Sequence, residues 1–122
     1  MLKQLLLVGL GGGLGSMLRY LTSLFTERFY DYPFPLATFA VNGLGCFIMG
    51  MLAGAFGTMT HDTRLLFVTG FCGGFTTFSA FAFENVRLFQ NNNHVVALLY
   101  VALSVLAGLL AVWLGLYVAR QI

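Results

Sequence analysis

Long apolar stretches separated by short polar connections make up nearly all of this chain. Each stretch is long enough for a helix to cross a bilayer, which takes about 20 apolar residues for roughly 30 Å of hydrocarbon. The four stretches cover about residues 4–26, 36–57, 65–89 and 95–119. The pattern predicts an all-α integral membrane protein, with residues 1–122 forming a single four-helix transmembrane domain.

The composition supports a membrane protein, and the lack of a catalytic motif in the sequence argues against an enzyme. Hydrophobic residues are 59% of the chain and charged residues 8%, far from the usage of soluble domains. The glycine run at 9–15 does not fit a dinucleotide-binding fingerprint, because the third required glycine falls on Leu14. We expect a multi-pass protein of the cell membrane, inner or plasma membrane, that contacts the lipid bilayer and no nucleic acid.

Basic residues near the helix ends are almost evenly divided between the two sides of the membrane. One side carries Lys3, Arg64 and Arg120, and the other carries Arg28 and Arg87. This difference is a weak bias for orientation, so insertion in both orientations and insertion in one both stay open. Four helices enclose a water-filled path poorly, and a pore of this length is therefore expected to be at least a dimer.

Glycines spaced four apart predict close packing between helices, because their backbones can approach one another. In the first stretch the pairs are Gly9 with Gly13 and Gly11 with Gly15, and the second stretch has Gly43, Gly50, Gly54 and Gly57. Cys46 and Cys72 lie beside glycines at mid-membrane depth. We expect both thiols to serve packing and neither a metal site nor a disulfide.

Two pairs of polar residues at membrane depth are candidates for a lined path. Thr38 and Asn42 are four apart, as are Tyr100 and Ser104, so each pair lies on one face of its helix. Facing stripes would form a narrow track of hydroxyl and amide groups. Alternatively, a hydroxyl could bond the carbonyl one turn earlier in its own helix, but the Asn42 amide needs more partners than that.

Two ionisable residues also lie within the stretches, where a charge is costly and functional by default. Arg19 is either an anchor at the membrane interface or a vestibule cation that concentrates anions. Glu84 is expected to accept from a neighbouring helix or a nearby arginine. Because the polar groups are mostly donors, we expect the permeant ion to be an anion.

The segment "GFCGGFTTFSAF", residues 70–81, is a poor helix former. Gly73-Gly74 and Thr76-Thr77 predict that the third helix is interrupted, which membrane proteins tolerate only where the backbone is buried or lines a cavity. Carbonyls freed there would suit a small dehydrated cation such as Na⁺.

Phenylalanines in the same segment recur at intervals of three, at Phe75, Phe78 and Phe81. Rings packed edge-on toward a path present a weak positive potential to an anion. Packing is the ordinary role of any one phenylalanine, and we assign Phe71 and Phe75 to packing.

Three motifs together resemble the CrcB/Fluc family of fluoride channels. They are "GGLGSMLRY" (12–20), "ATFAVNGLGCFIMG" (37–50) and "GFCGGFTTFSAF" (70–81), and the resemblance covers essentially the whole chain. It implies an antiparallel, dual-topology homodimer with two pores that passively exports fluoride and lowers its cytoplasmic concentration.

The resemblance also implies roles for individual residues. Phe78 and Phe81 match pore-lining phenylalanines, and Asn42 matches an asparagine beside them. Gly73 and Thr76 match positions whose carbonyls hold a structural Na⁺ at the dimer axis. The remaining matches are a vestibule arginine at Arg19, the polar track at Thr38, Tyr100 and Ser104, and the motif serine at Ser79.

One position departs from the family pattern, and one other family has a similar architecture. Ala80 stands where the family usually has a second hydroxyl residue. Small proton-coupled multidrug exporters are also four-helix, dual-topology dimers, but they need a membrane-embedded glutamate in the first helix. The sequence has no such glutamate there, so the exporter is kept only as the less favoured alternative.

Overall fold

The computed structural model describes all 122 residues and contains helices but no strand. Four segments are long and apolar enough to cross a membrane, which confirms the predicted spans. The helices are α1 (Leu2–Phe29), α2 (Leu36–Gly54), α3 (residues 61–75), α4 (Phe78–Gln90) and α5 (His94–Gln121). The third span therefore consists of two helices, α3 and α4.

Helix ends differ from the predicted bounds for local reasons. α2 stops at Gly54 rather than at residue 57, because a short 3₁₀ turn over Phe56–Thr58 follows it. α3 begins at residue 61 rather than 65, because the Thr60 hydroxyl accepts a hydrogen bond from the Thr63 N–H at 3.2 Å. A threonine N-cap of this kind satisfies one of the free amides at a helix start.

The middle of α3 is a π-helix, a feature that the sequence did not predict. It covers Leu65–Cys72, between an α-helical turn at His61–Arg64 and another at Gly73–Phe75. π-helical segments are rare, and those inside α-helices often occur at functional sites. This one ends just before the interruption between α3 and α4.

Glycines close the seam between α1 and α3. A Cβ at Gly11 would collide with the Leu66 carbonyl, and a Cβ at Gly15 would collide with the Phe71 carbonyl. From the other side, a Cβ at Gly74 would lie 2.9 Å from the Gly12 Cα. The prediction of close packing is therefore confirmed for the pair Gly11 and Gly15.

A second seam of small residues joins α2 to α5. A Cβ at Gly50 would meet the Val112 carbonyl, and a Cβ at Gly115 would meet the Phe47 carbonyl. Gly54 faces the Ala119 side chain. The predicted packing role of Gly50 and Gly54 is confirmed.

The packing prediction is wrong within the chain for the other glycines in the two ladders. Gly9, Gly13, Gly43 and Gly57 have no atom within 4 Å of an added Cβ. The first three have no helix of the same chain against this position, and Gly57 lies in the 3₁₀ turn after α2. Spacing alone predicted a packed face, but it does not identify which of two parallel stripes meets a neighbour.

Most of the chain's surface is apolar and uncovered. Only 14 of 122 residues are buried, and leucines along α1 and α5 are largely exposed. Such a surface is incompatible with water and fits contact with lipid or with another copy. Cys46 and Cys72 are free thiols, Cys46 partly buried and Cys72 buried.

One ion pair connects the amino end of α1 to the start of α3. Lys3 Nζ lies 2.8 Å from Asp62 Oδ2. The pair places the amino terminus and the connection at 59–64 on the same side of the helix bundle, as the four-span arrangement requires.

Candidate functional site

The third span is interrupted at Thr76 and Thr77. Both residues have extended backbones, with φ −85° and ψ 157° at Thr76 and φ −150° and ψ 119° at Thr77. This confirms an interruption in the predicted segment but corrects the part assigned to Gly73-Gly74. Both glycines are helical, with φ −63° and ψ −36° at Gly73, and Gly74 is needed for the approach of α1.

Asn42 of α2 holds one side of the interruption. Its Oδ1 accepts from the Thr77 N–H at 2.8 Å, and its Nδ2 donates to the Thr77 carbonyl at 3.1 Å. The amide thus replaces both helical partners that the Thr77 backbone lacks. One N–H of the amide is left for another acceptor.

The Thr77 side chain starts α4. Its Oγ1 accepts from the Ala80 N–H at 3.2 Å and lies 3.3 Å from Ser79 Oγ. The side chain of Ala80 is a methyl group and supplies no polar atom at the start of α4. Ser79 itself is exposed and does not line the cavities near the interruption.

Arg19 and Ser16 of α1 hold the other side of the interruption. Arg19 Nε donates to the Gly74 carbonyl at 3.1 Å, and Ser16 Oγ donates to the same oxygen at 3.4 Å. Arg19 is only partly exposed, and this bond places it at the level of the interruption rather than at the membrane interface. Ser16 lies one turn before Arg19, a spacing of three that could have drawn attention to it.

Some carbonyls at the interruption have no donor. Thr76 directs both its N–H and its hydroxyl to the Cys72 carbonyl, at 3.0 and 2.8 Å. No hydrogen bond reaches the carbonyls of Gly73 or Thr76. Gly73 is exposed, and nothing lies within 4 Å of an added Cβ there.

Glu84 of α4 collects two hydroxyl donors from different helices. Thr38 Oγ1 donates to Oε2 at 2.7 Å, and the Tyr100 hydroxyl donates to Oε1 at 2.9 Å. Thr38 and Tyr100 are both buried. The expectation that Glu84 accepts from a neighbouring helix is confirmed. The hydroxyls of Thr38 and Tyr100, which we expected to line a track of donors, are bonded to this carboxyl group instead.

A small polar cavity of about 100 Å³ separates Arg19 from Glu84. Thr38 and Thr77 also line it. The two charged side chains do not form an ion pair, since the one ion pair of the chain joins Lys3 and Asp62. The cavity therefore has a cation at one side and an anion with two hydrogen bonds at the other.

A larger cavity of about 320 Å³ brings together most of the predicted pore residues. Asn42, Phe78, Phe81 and Ser104 line it. The ring centroids of Phe78 and Phe81 are 5.8 Å apart, and Phe81 packs against Tyr100 at 5.0 Å. Ser104 Oγ is buried and has no hydrogen-bond partner, and the residue is part of the cavity wall.

This cavity lacks a wall on one side. Phe78 is 78% exposed although it lies in the middle of the third span. Phe75, by contrast, is buried and stacks on Phe71 at 5.7 Å, as expected of packing residues. Phe71 and Phe81 are both partly buried, so exposure separates Phe78 from Phe75 but does not separate the predicted pore pair from the packing pair.

Most of the chain matches one known protein family. The family model described as "CrcB-like protein, Camphor Resistance (CrcB)" matches residues 6–116. The chain belongs to the CrcB family. The match covers both sides of the interruption and all residues that line the two cavities.

Individual relatives within the CrcB family match nearly the full chain. A protein of Azobacteroides pseudotrichonymphae is 48% identical over 118 residues, covering 94% of each chain. A Flavobacterium psychrophilum protein is 43% identical over 124 residues, covering 99% of this chain and all of the relative. Both relatives are named fluoride-specific ion channel FluC. A Rhodococcus jostii relative is 48% identical over 110 residues, covering 90% of this chain and 93% of its own. It is named fluoride-specific ion channel FluC 2.

Proposed function

We propose that this CrcB-family chain is a fluoride channel that lets the anion leave the cytoplasm passively. The observation that carries the proposal is the cavity beside the interrupted span, where the free hydroxyl of Ser104 and the remaining N–H of Asn42 adjoin Phe78 and Phe81. The names of the relatives support fluoride as the ion.

The chemistry of this cavity suits a small dehydrated anion. A hydroxyl and an amide N–H supply donors in place of water, while ring edges supply a weak positive potential. No fixed cation lies among the residues that line this cavity. A site that binds without a full countercharge releases its ion readily, as conduction requires.

We further propose that two copies assemble in antiparallel orientation and that each closes the open side of the other's cavity. The exposed ring of Phe78 supports this arrangement, because it leaves the cavity without a wall in a single copy. The near balance of basic residues on the two sides supports insertion in both orientations. A two-fold axis would duplicate the path and give two pores.

A Na⁺ ion at the two-fold axis is the third part of the proposal. The carbonyls of Gly73 and Thr76 fit this role, because neither receives a hydrogen bond and Gly73 is on an open surface. Unpaired carbonyls at membrane depth need a partner. Two copies would provide four such oxygens, which would coordinate the cation and so stabilise the dimer.

The small proton-coupled exporter is less well supported. The one acidic residue of α1, Glu27, is exposed in the last turn of the helix rather than embedded. Glu84, the acidic residue within the third span, already accepts hydrogen bonds from Thr38 and Tyr100. Nothing in the site therefore resembles a carboxylate that exchanges a proton for a drug.

Reconstituted vesicles distinguish the two functions. Fluoride efflux from vesicles loaded with potassium fluoride is measured with an electrode, with valinomycin to carry the compensating charge, and with or without a protonophore. A channel gives the same efflux in both conditions. Efflux that stops when the proton gradient is collapsed would contradict the channel and indicate proton-coupled transport.

A further inference from the structure

Arg19 has a specific bonding partner, which a freely exposed vestibule charge would lack. Its Nε donates to the Gly74 carbonyl at 3.1 Å, and Ser16 donates to the same oxygen. Both bonds run from α1 to the last turn of α3. The guanidinium therefore has a defined position at the interruption.

The Gly74 carbonyl needs this donor because its helix ends. In a continuous helix the N–H of Phe78 would bond to it, four residues later. Phe78 instead starts α4 after two extended residues, so the bond is lost. An unpaired carbonyl at this depth is costly, and Ser16 and Arg19 of α1 supply the donors that satisfy it.

The approach of α1 depends on glycine. A Cβ at Gly74 would lie 2.9 Å from the Gly12 Cα, and a Cβ at Gly15 would lie 2.7 Å from the Phe75 N. With hydrogens there instead, α1 comes close enough for Arg19 to reach around the last turn. The two features are complementary: the glycines allow contact, and Arg19 fixes it.

We propose that Arg19 is a positioning residue that anchors the last turn of α3 to α1 and thereby fixes the direction of the free Gly73 and Thr76 carbonyls. Asn42 holds the opposite side of the interruption through Thr77. The two ends are thus attached to different helices. This inference rests on the proposed Na⁺ site and adds a residue that shapes the site without touching the ion.

Two substitutions separate this role from that of a vestibule charge. In R19Q the glutamine amide nitrogen is as many bonds from the backbone as Arg19 Nε, so a donor to Gly74 is kept while the charge is lost. In R19M both the donor and the charge are lost at similar length. R28Q removes one charge from an exposed position of the same helix and is the matched control.

The measurement is fluoride efflux from vesicles after dialysis into Na⁺-free buffer, with Na⁺ then added back in steps. We expect the Na⁺ concentration for half-maximal efflux to rise about tenfold in R19M and to change by less than about threefold in R19Q. The R28Q value should match that of the unmodified protein. Equal shifts in R19Q and R19M, or no shift in either, would overturn the positioning role.

Thermal unfolding of the purified protein tests the same anchor without measuring fluoride transport. R19M should unfold at a lower temperature than R19Q, because only glutamine keeps the bond to Gly74. Equal midpoints would overturn the anchor. Failure of the unmodified protein to conduct fluoride would overturn the proposed channel instead, and efflux without any dependence on Na⁺ would overturn the link to the cation.

Discussion

The Asn42 side chain forms two hydrogen bonds with the backbone of Thr77, accepting from its N–H at 2.8 Å and donating to its carbonyl at 3.1 Å. A single side chain from α2 therefore replaces the helical bonds that the interrupted third span has lost. It also lines the cavity that contains Phe78 and Phe81. The same amide therefore holds the interrupted span and adjoins the proposed fluoride path.

Replacing Asn42 with aspartate separates these bonds. N42D keeps the acceptor for the Thr77 N–H but loses the donor to its carbonyl, and it places a negative charge beside the anion path. We expect fluoride efflux to fall by about tenfold or more, because a lost donor and a like charge both oppose the anion. The same change at exposed Asn91 is the control, and equal efflux in N42D and N91D would contradict the role of Asn42.

Phe78 and Phe81 are predicted to contribute through their rings rather than through apolar volume. Isoleucine fills space but has no positive ring edge, so F78I and F81I should each reduce fluoride efflux by about tenfold while the protein keeps its oligomeric state. F25I changes an exposed phenylalanine of α1 that lies outside the cavity and should conduct normally. Normal fluoride efflux in both F78I and F81I would show that the rings do not contribute to the path.

Thr38 and Tyr100 are predicted to be coupled through Glu84. T38V and Y100F each remove one hydroxyl that donates to the carboxylate, and bonds to charged groups contribute about 1.5–3 kcal/mol. Because both act on one group, we expect the double variant to differ from the sum of the two changes by about 0.5 kcal/mol or more. Denaturation of the purified proteins measures their free energies of unfolding. T38S keeps the hydroxyl and should unfold as the unmodified protein does. Strict additivity of the two changes would argue against a shared acceptor.

Alanine substitutions at the α1 glycines should lower stability on one helix face and leave it unchanged on another. G11A and G15A force a methyl group into backbone atoms of α3, whereas G9A and G13A add one where no neighbour lies within 4 Å. Overpacking of this kind costs about 1–3 kcal/mol, so only the first two should lower the thermal unfolding midpoint. Size-exclusion profiles of the four purified variants compare their oligomeric states. A loss of stability in G9A alone would contradict the observed seam.

The fold was largely predictable from the sequence because the bilayer restricts the possible structures. Runs of apolar residues fixed the four spans, and the poor helix formers at residues 73–77 located the interruption. Periodicity could not determine which glycines meet a neighbour, since Gly9 and Gly11 lie on different faces of the same helix. It also gave no signal for the π-helix at Leu65–Cys72, because the geometry of α3 depends on its packing against α1.

The site was predictable in its residue types but less so in its bonds. Thr38, Asn42, Tyr100 and Ser104 appeared as two stripes, yet they form two separate groups in the structure. Thr38 and Tyr100 converge on Glu84, while Asn42 and Ser104 line the cavity with the phenylalanines. The partner of Arg19 is a backbone carbonyl freed 55 residues later, which no pattern of side chains predicts.

Fluoride and chloride efflux, measured from matched vesicles containing the unmodified protein, test the central claim most directly. Vesicles are loaded with one potassium salt or the other, valinomycin is added to compensate charge, and each anion is followed with its own electrode. We predict rapid fluoride efflux and chloride efflux close to that of protein-free vesicles. Equal rates for the two anions, or fluoride efflux no faster than in protein-free vesicles, would contradict the account.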